Sequence, residues 1–185
     1  MTSTARARMT AEHFYLLSGD GVPRELVEGE VIEMTPAGLR SAQVASRINT
    51  LLGVHVDETR AGIVIGAQGG FVLARDPDTV RSPDVAFVSW AKLPEAQVPS
   101  SFGDFAPDLA VEVLSPTDRE TEVARKVQEY LNAGTQLVWV VFPEMRRIRV
   151  HAASGTMHWL DEDDTLTADP VLPGFSCPVR EVFEI

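Results

Sequence analysis

The run Leu109-Ala110-Val111-Glu112-Val113-Leu114 is apolar except for one carboxylate at its fourth position. Its shortness, its valines and the Ser115-Pro116 that closes it mark a buried strand. Beyond it, Val123, Val127 and Tyr130 recur at helical spacing between Arg119 and Ala133, which predicts a helix with one buried face. A Thr117-x-x-Glu120 capping box precedes that helix and Gly134 follows it, so both of its ends are marked. A second apolar run, Leu137-Val138-Trp139-Val140-Val141-Phe142, comes next. Strand, helix and strand in this order point to a sheet covered by helices.

The flanking sequence extends that sheet in both directions. Upstream, Ile63-Val64-Ile65, Gly70-Phe71-Val72-Leu73 and Val85-Ala86-Phe87-Val88 are short, β-branched or aromatic, and parted by Gly, Pro and Asp clusters, as successive strands are. Val44, Ile48, Leu51 and Leu52 recur near helical spacing from Ser41 to about Val56, predicting the first long helix. Arg24 to Met34 reads as two short strands around a Glu28-Gly29 turn. Thr10 caps a short helix reaching Leu17, which Ser18-Gly19-Asp20-Gly21 ends. Downstream, a linker rich in Pro, Ser and Gly runs from Leu93 to Pro107. Arg147 to His151 pairs back through the Pro143-Glu144-Met145-Arg146 turn, and Met157-His158-Trp159-Leu160 adds a further strand. The expectation is one α/β (α+β) domain over residues 10–185, after a mobile segment 1–9: a single mixed sheet flanked by helices, with an N-terminal helix and hairpin extension.

Bulk properties narrow the function. At 185 residues, 44% hydrophobic and 23% charged, the chain is expected to fold as a globule rather than stay disordered or enter a membrane. No stretch approaches the roughly 18 consecutive apolar residues of a membrane span, and Met1 to Arg8 lacks the apolar segment of a signal peptide. A cytoplasmic location follows as the expectation. Cys177 is the sole cysteine, which excludes an intrachain disulfide and a cysteine-built metal site. The four histidines show no ligand spacing. A formal net charge of -11 opposes a long nucleic-acid footprint, which needs a basic face to neutralise phosphates, although a local cluster of arginines can still contact a few of them. Part of the deficit lies in Asp161-Glu162-Asp163-Asp164, read as a solvated turn.

The chemistry lies in acids placed inside strands. Glu112 sits in the middle of its apolar run, and Asp84 follows Pro83 at the head of Val85-Ala86-Phe87-Val88. Alone, Asp84 reads as a turn residue. A buried carboxylate, however, is costly unless it is paired, protonated or metal-bound. By strand alternation Glu112 shares a face with Ala110 and Leu114, and Asp84 with Ala86 and Val88, so the two converge if their strands are neighbours. Converging carboxylates suit a hard cation such as Mg²⁺, with Mn²⁺ as a substitute. At about 100° per residue, Lys126 falls at the edge of the apolar helix face, while Arg125 points away. Lys126 is therefore the basic partner, weighed against a snorkelling surface lysine. A structural ion pair of Glu112 with an arginine such as Arg81 is the competing role for that carboxylate. Tyr130 and Trp139 read as core.

Ser82-Pro83-Asp84 followed by Val111-Glu112-Val113 resembles the Pro-Asp…(Asp/Glu)-x-Lys nuclease superfamily. The ordered set Glu25-Leu-Val-Glu-Gly-Glu30, Ser82-Pro-Asp-Val-Ala-Phe-Val88, Leu109-Ala-Val-Glu-Val-Leu-Ser-Pro116, Lys126-x-x-x-Tyr130, Ala133-Gly134 and Val138-Trp139-Val140 resembles more closely the Uma-type family of restriction endonucleases. The resemblance runs from about Thr10 to Pro173-Gly174-Phe175. It implies a restriction-endonuclease-like fold and Mg²⁺-dependent phosphodiester hydrolysis on nucleic acid, with DNA the expected substrate. It also implies pairing into a homodimer, since nucleases of this fold often cut both strands as pairs. Two positions depart from the pattern. The superfamily's lysine, two residues after Glu112, is Leu114 here, and Lys126 on the following helix takes its place. A histidine usual at the start of the first long helix is replaced by Ser41, its role lost or carried by Gln43. Glu30 is a further candidate metal ligand, whereas Glu28 belongs to the turn. A catalytically inactive nuclease-fold protein, serving as a binding or assembly module, is the alternative.

Overall fold

The computed structural model describes residues 8–17 and 21–184. The expected ending of the first helix at residues 18–20, and all of the expected mobile start except Arg8 and Met9, lie outside them. Met9 donates its backbone N–H to the Gly29 carbonyl at 2.9 Å.

Helix α1 spans Ala11–Leu17, with the Thr10 hydroxyl accepting the His13 N–H at its start. Strands β1 (Arg24–Val27) and β2 (Glu30–Glu33) form the predicted hairpin. Its two turn residues both have positive φ, 49° at Glu28 and 78° at Gly29, the geometry that matches the twist of paired strands. Helix α2 (Leu39–Thr59) is the first long helix. Strands β3 (Gly62–Gly66), β4 (Phe71–Ala74), β5 (Thr79–Arg81), β6 (Val85–Ser89) and β7 (Leu109–Val113) follow. Helix α3 (Glu120–Asn132) then leads to β8 (Leu137–Phe142), β9 (Arg147–Ala152), β10 (Met157–Leu160), β11 (Thr165–Thr167), β12 (Ser176–Pro178) and α4 (Val179–Phe183).

The fold class expected from the sequence is present, but the strands divide among three sheets rather than one. The central sheet has the order β10-β9-β8-β7-β6-β3, and within it only β7 and β8 run parallel, joined by the α3 crossover. A second, antiparallel sheet has the order β2-β1-β5-β4, and β11 pairs with β12. Alternation sends Val85, Phe87, Leu109, Val111, Trp139 and Ile148 to one face of the central sheet, where α2, α4 and the C-terminal segment cover them. The opposite face is shared. Tyr130, Val123 and Val127 of α3 cover Ala110, Val138 and Val140, while Phe71 and Leu93 pack on Ala86 and Val88.

The expected capping box does not form. Helix α3 begins at Glu120 with Arg119 as its N-cap, and no side chain caps it. Asp118 competes: its carboxylate takes the Ser115 N–H at 2.6 Å and its own N–H reaches the Ser115 carbonyl, so Thr117 is used up in a turn. Gly134 ends the helix as predicted, with φ at 101°, a conformation that side chains disfavour.

Candidate functional site

The pairing of β6 with β7 sets Val85 opposite Val111 and Ala86 opposite Ala110. One step further along the same register puts Asp84 opposite Glu112, on the face that carries α3. Glu112 is buried, and the Tyr130 hydroxyl donates to its Oε1 at 2.9 Å. Lys126 Nζ lies 3.0 Å from its Oε2. Asp84 is half-buried, and its Oδ2 accepts the Val113 N–H at 2.7 Å. The structure thus brings Asp84, Glu112 and Lys126 together around the end of β7.

A third carboxylate joins them. Lys126 Nζ is also 3.2 Å from Glu25 Oε1, and Glu25 Oε2 receives Arg81 Nη1 at 2.6 Å. Both Glu25 and Arg81 are about 2% exposed. Arg81 also donates through Nε to Glu129 of α3 at 2.6 Å. The second sheet is what delivers this pair: Leu26 pairs with Val80, so Glu25 and Arg81 stand opposite each other on the next rung.

Glu25, not Glu30, is the hairpin acid that reaches the site. Glu30 is exposed on the edge strand β2, and among the described residues it makes no hydrogen bond or ion pair to Asp84, Glu112 or Lys126. Arg81 pairs with Glu25 and Glu129 instead of Glu112. The available signal was a charge in each of two short strands, Glu25 before Leu26-Val27 and Arg81 after Thr79-Val80. Tyr130 is core as expected, yet its hydroxyl belongs to the site. Ser41 is buried and donates to the Leu114 carbonyl at 2.9 Å, bracing the end of β7. Gln43 donates elsewhere, to the Glu184 carbonyl. Arg125 points away from the site and pairs with Glu122 and Glu129. The acidic turn Asp161–Asp164 is held by Arg146, Arg147 and Arg180.

Electrostatics follow from this packing. Burial pushes the Glu112 carboxyl up to about 7, with Asp84 and Glu25 adding to the rise and Lys126 opposing it. Burial raises the Asp84 carboxyl as well. Burial acts on Glu25 in the same direction, but Lys126, Arg81 and the hydrogen bonds outweigh it and hold that carboxyl below its ordinary range. Lys126 is half-buried, which by itself would favour the neutral amine, yet Glu112 and Glu25 hold it protonated. Burial and the neighbouring carboxylates keep the Tyr130 hydroxyl protonated, so it serves as a donor.

Three carboxylates therefore face one lysine and an arginine that is shared with Glu129. Asp84 Oδ1 makes no hydrogen bond among the described residues, and each carboxylate oxygen engaged by one donor keeps a second lone-pair site. Hard oxygen donors with unbalanced negative charge fit a divalent cation held by Asp84 and Glu112. Among the described residues no group of three His, Cys, Asp or Glu forms a ready-made cage, so water and substrate oxygen would supply the other positions, as Mg²⁺ tolerates. Two surface depressions lie away from these residues, one of about 370 Å³ beside Leu39, Arg146 and Phe183 and one of about 390 Å³ beside Arg47 and Thr50. No helix among the described residues is long and apolar enough to cross a membrane.

Comparison with known proteins identifies the family and the fold. The profile of the Uma2 family, described as "Putative restriction endonuclease", matches residues 11–180. The crystal structure of "a putative nuclease belonging to DUF820" from Anabaena variabilis ATCC 29413 has the same fold, with a TM-score of 0.81 at 22% identity, over 95% of this chain and 97% of that one. No curated protein matches the chain.

Proposed function

The chain belongs to the Uma2 family of "putative restriction endonucleases", and on that premise we propose that it is a Mg²⁺-dependent endonuclease that hydrolyses phosphodiester bonds in DNA. The observation that carries this reading is the opposition of Asp84 and Glu112 across β6 and β7, with Lys126 on Glu112. When bound between the two carboxylates, the cation would polarise the scissile phosphoryl group and lower the pKa of a water. Asp84 is fixed by the Val113 N–H and Glu112 by Tyr130, so neither carboxylate swings freely. Such fixed geometry reduces the reorganisation needed when substrate arrives. Lys126, held protonated, donates hydrogen bonds and positive charge; in that state it orients the attacking water or steadies the phosphate, and is not itself the base. Glu25 and Arg81 set the position of its ammonium group.

The purified protein is expected to cleave plasmid or single-stranded DNA with Mg²⁺ or Mn²⁺ and not with a chelator, and Glu112→Ala is expected to abolish cleavage. Cleavage that persists unchanged in Glu112→Ala overturns the reading. One observation favours a second reading: the buried carboxylates already have protein partners in Lys126, Tyr130 and Arg81. A binding or assembly module that retains the nuclease fold would need no more than that. A calorimetric titration without divalent-ion binding would support it.

A further inference from the structure

Glu112, Val140, Arg149 and Trp159 lie in one row across the central sheet, since Glu112 pairs with Val140, Val140 with Arg149, and Arg149 with Trp159. Residues opposite one another share a face, so Arg149 and Trp159 stand on the face that carries Glu112. With strands about 4.8 Å apart, Arg149 is roughly 10 Å and Trp159 roughly 14 Å from Glu112 along the row. Helix α3 packs on β7 and β8, and no residue of β9 or β10 joins that apolar cluster. Past the helix, the same face therefore presents Arg147, Arg149, His151 and Trp159.

These side chains form a stack. The Arg147 guanidinium lies 4.9 Å and that of Arg149 5.3 Å from the centre of the Trp159 ring, and Phe142 lies 4.9 Å from Trp159. The carboxylates that pair with the two arginines, Asp161 and Glu120, are 65% and 76% exposed. The arginine side chains are 34% and 12% exposed, and because their acid partners project into solvent, where ion pairs are weak, phosphate oxygens can compete for the guanidinium groups.

We propose that the β9–β10 face binds a single-stranded stretch of the nucleic acid next to the phosphodiester to be cut, with Trp159 stacking on a base and Arg147 and Arg149 holding phosphates. The proposal rests on the reading of Asp84 and Glu112 as the hydrolytic pair, because the row leads to them. A single strand is favoured over a duplex on two grounds. Stacking on one ring requires an unpaired base. A duplex footprint requires an extended basic face, which a chain of net charge -11 offers poorly.

Binding of a fluorescent oligothymidylate to the full chain, followed by anisotropy in chelator so that no cleavage occurs, tests the proposal. Trp159→Ala is expected to weaken binding by roughly 5- to 150-fold, from the stacking contribution of one base, and Trp159→Phe to retain most of it. Thermal melting of both variants separates a lost contact from a lost fold. Undiminished binding by a folded Trp159→Ala, or tighter binding of a duplex than of the single strand by the wild type, overturns the proposal. Cleavage with Mg²⁺ is scored separately on the wild type, so failure of the hydrolytic reading remains distinct from failure of the binding face.

Discussion

Asp84 Oδ2 accepts the backbone N–H of Val113 at 2.7 Å, tying the head of β6 to the residue that follows Glu112. One carboxylate thereby has two separable tasks, a structural one through its shape and a metal-binding one through its charge. Asp84→Asn keeps an oxygen for the Val113 N–H but loses the charge; Asp84→Ala loses both. Mg²⁺ binding, read by calorimetry, should fall in both variants. Melting temperature should fall mainly in Asp84→Ala, by the equivalent of about 1–3 kcal/mol for a partly buried N–H left unpaired. Equal Mg²⁺ binding by wild type and Asp84→Asn would remove Asp84 from the ligand set.

The raised Glu112 carboxyl predicts a pH dependence of definite sign. Its ordinary value is 4.5 and its folded value about 7. In that interval the folded chain keeps a proton that the unfolded chain has released, so this group's contribution to stability declines as pH rises from about 4.5 to about 7 and is level above. Glu112→Gln cannot titrate. In chelator, the melting-temperature gap between wild type and variant should therefore move in the variant's favour between about pH 5 and about pH 7.5. A gap that stays constant would mean that Glu112 titrates normally. Affinity for Mg²⁺ should rise over the same interval in the wild type, because the carboxylate binds a cation only after losing its proton.

Much of this site could be read from the sequence because a charge inside an apolar strand breaks a strong pattern, as Glu112 does between Val111 and Val113. Lys126 was legible for a related reason, its place at the edge of a clear helical stripe. The partners of these residues were not. Glu25 reaches Lys126 only because β1 pairs with β5 across more than fifty residues of sequence, and β5 is three residues long with an arginine at its end. No local period records such a pairing, and the division of the strands among separate sheets was hidden for the same reason. The capping box failed on a competition that spacing alone does not resolve, since Asp118 offers the backbone an alternative turn before the helix begins.

Lys126 separates stability from catalysis. Its ammonium is within 3.2 Å of Glu25 and 3.0 Å of Glu112. Lys126→Met keeps an unbranched side chain one atom shorter and leaves two buried carboxylates without that cation, which should cost about 3–5 kcal/mol in the metal-free protein. Mg²⁺ should recover part of the loss, because the ion takes over the missing positive charge, and its affinity should be no weaker than in the wild type. Cleavage should nevertheless fall by roughly 10²–10³-fold, the usual effect of removing one donor that stabilises developing charge. Thermal melts with and without Mg²⁺, alongside single-turnover cleavage, read the two effects. Wild-type cleavage in Lys126→Met would confine Lys126 to a structural role.

The two acids of the N-terminal hairpin give opposite expectations. Glu30 is exposed on an edge strand, whereas Glu25 is buried between Arg81 and Lys126. Glu30→Gln should leave the melting temperature, Mg²⁺ affinity and cleavage at wild-type levels. Glu25→Gln retains the size of the side chain but removes the charge that Arg81 and Lys126 share, and a buried guanidinium that loses its counter-charge is strongly destabilising. Its melting temperature should drop. The position of Lys126 should also be less well defined, so cleavage should fall further than Mg²⁺ affinity does. Measuring all three quantities on both variants decides between the hairpin acids, and a loss of Mg²⁺ binding in Glu30→Gln alone would return Glu30 to the ligand set in place of the buried network.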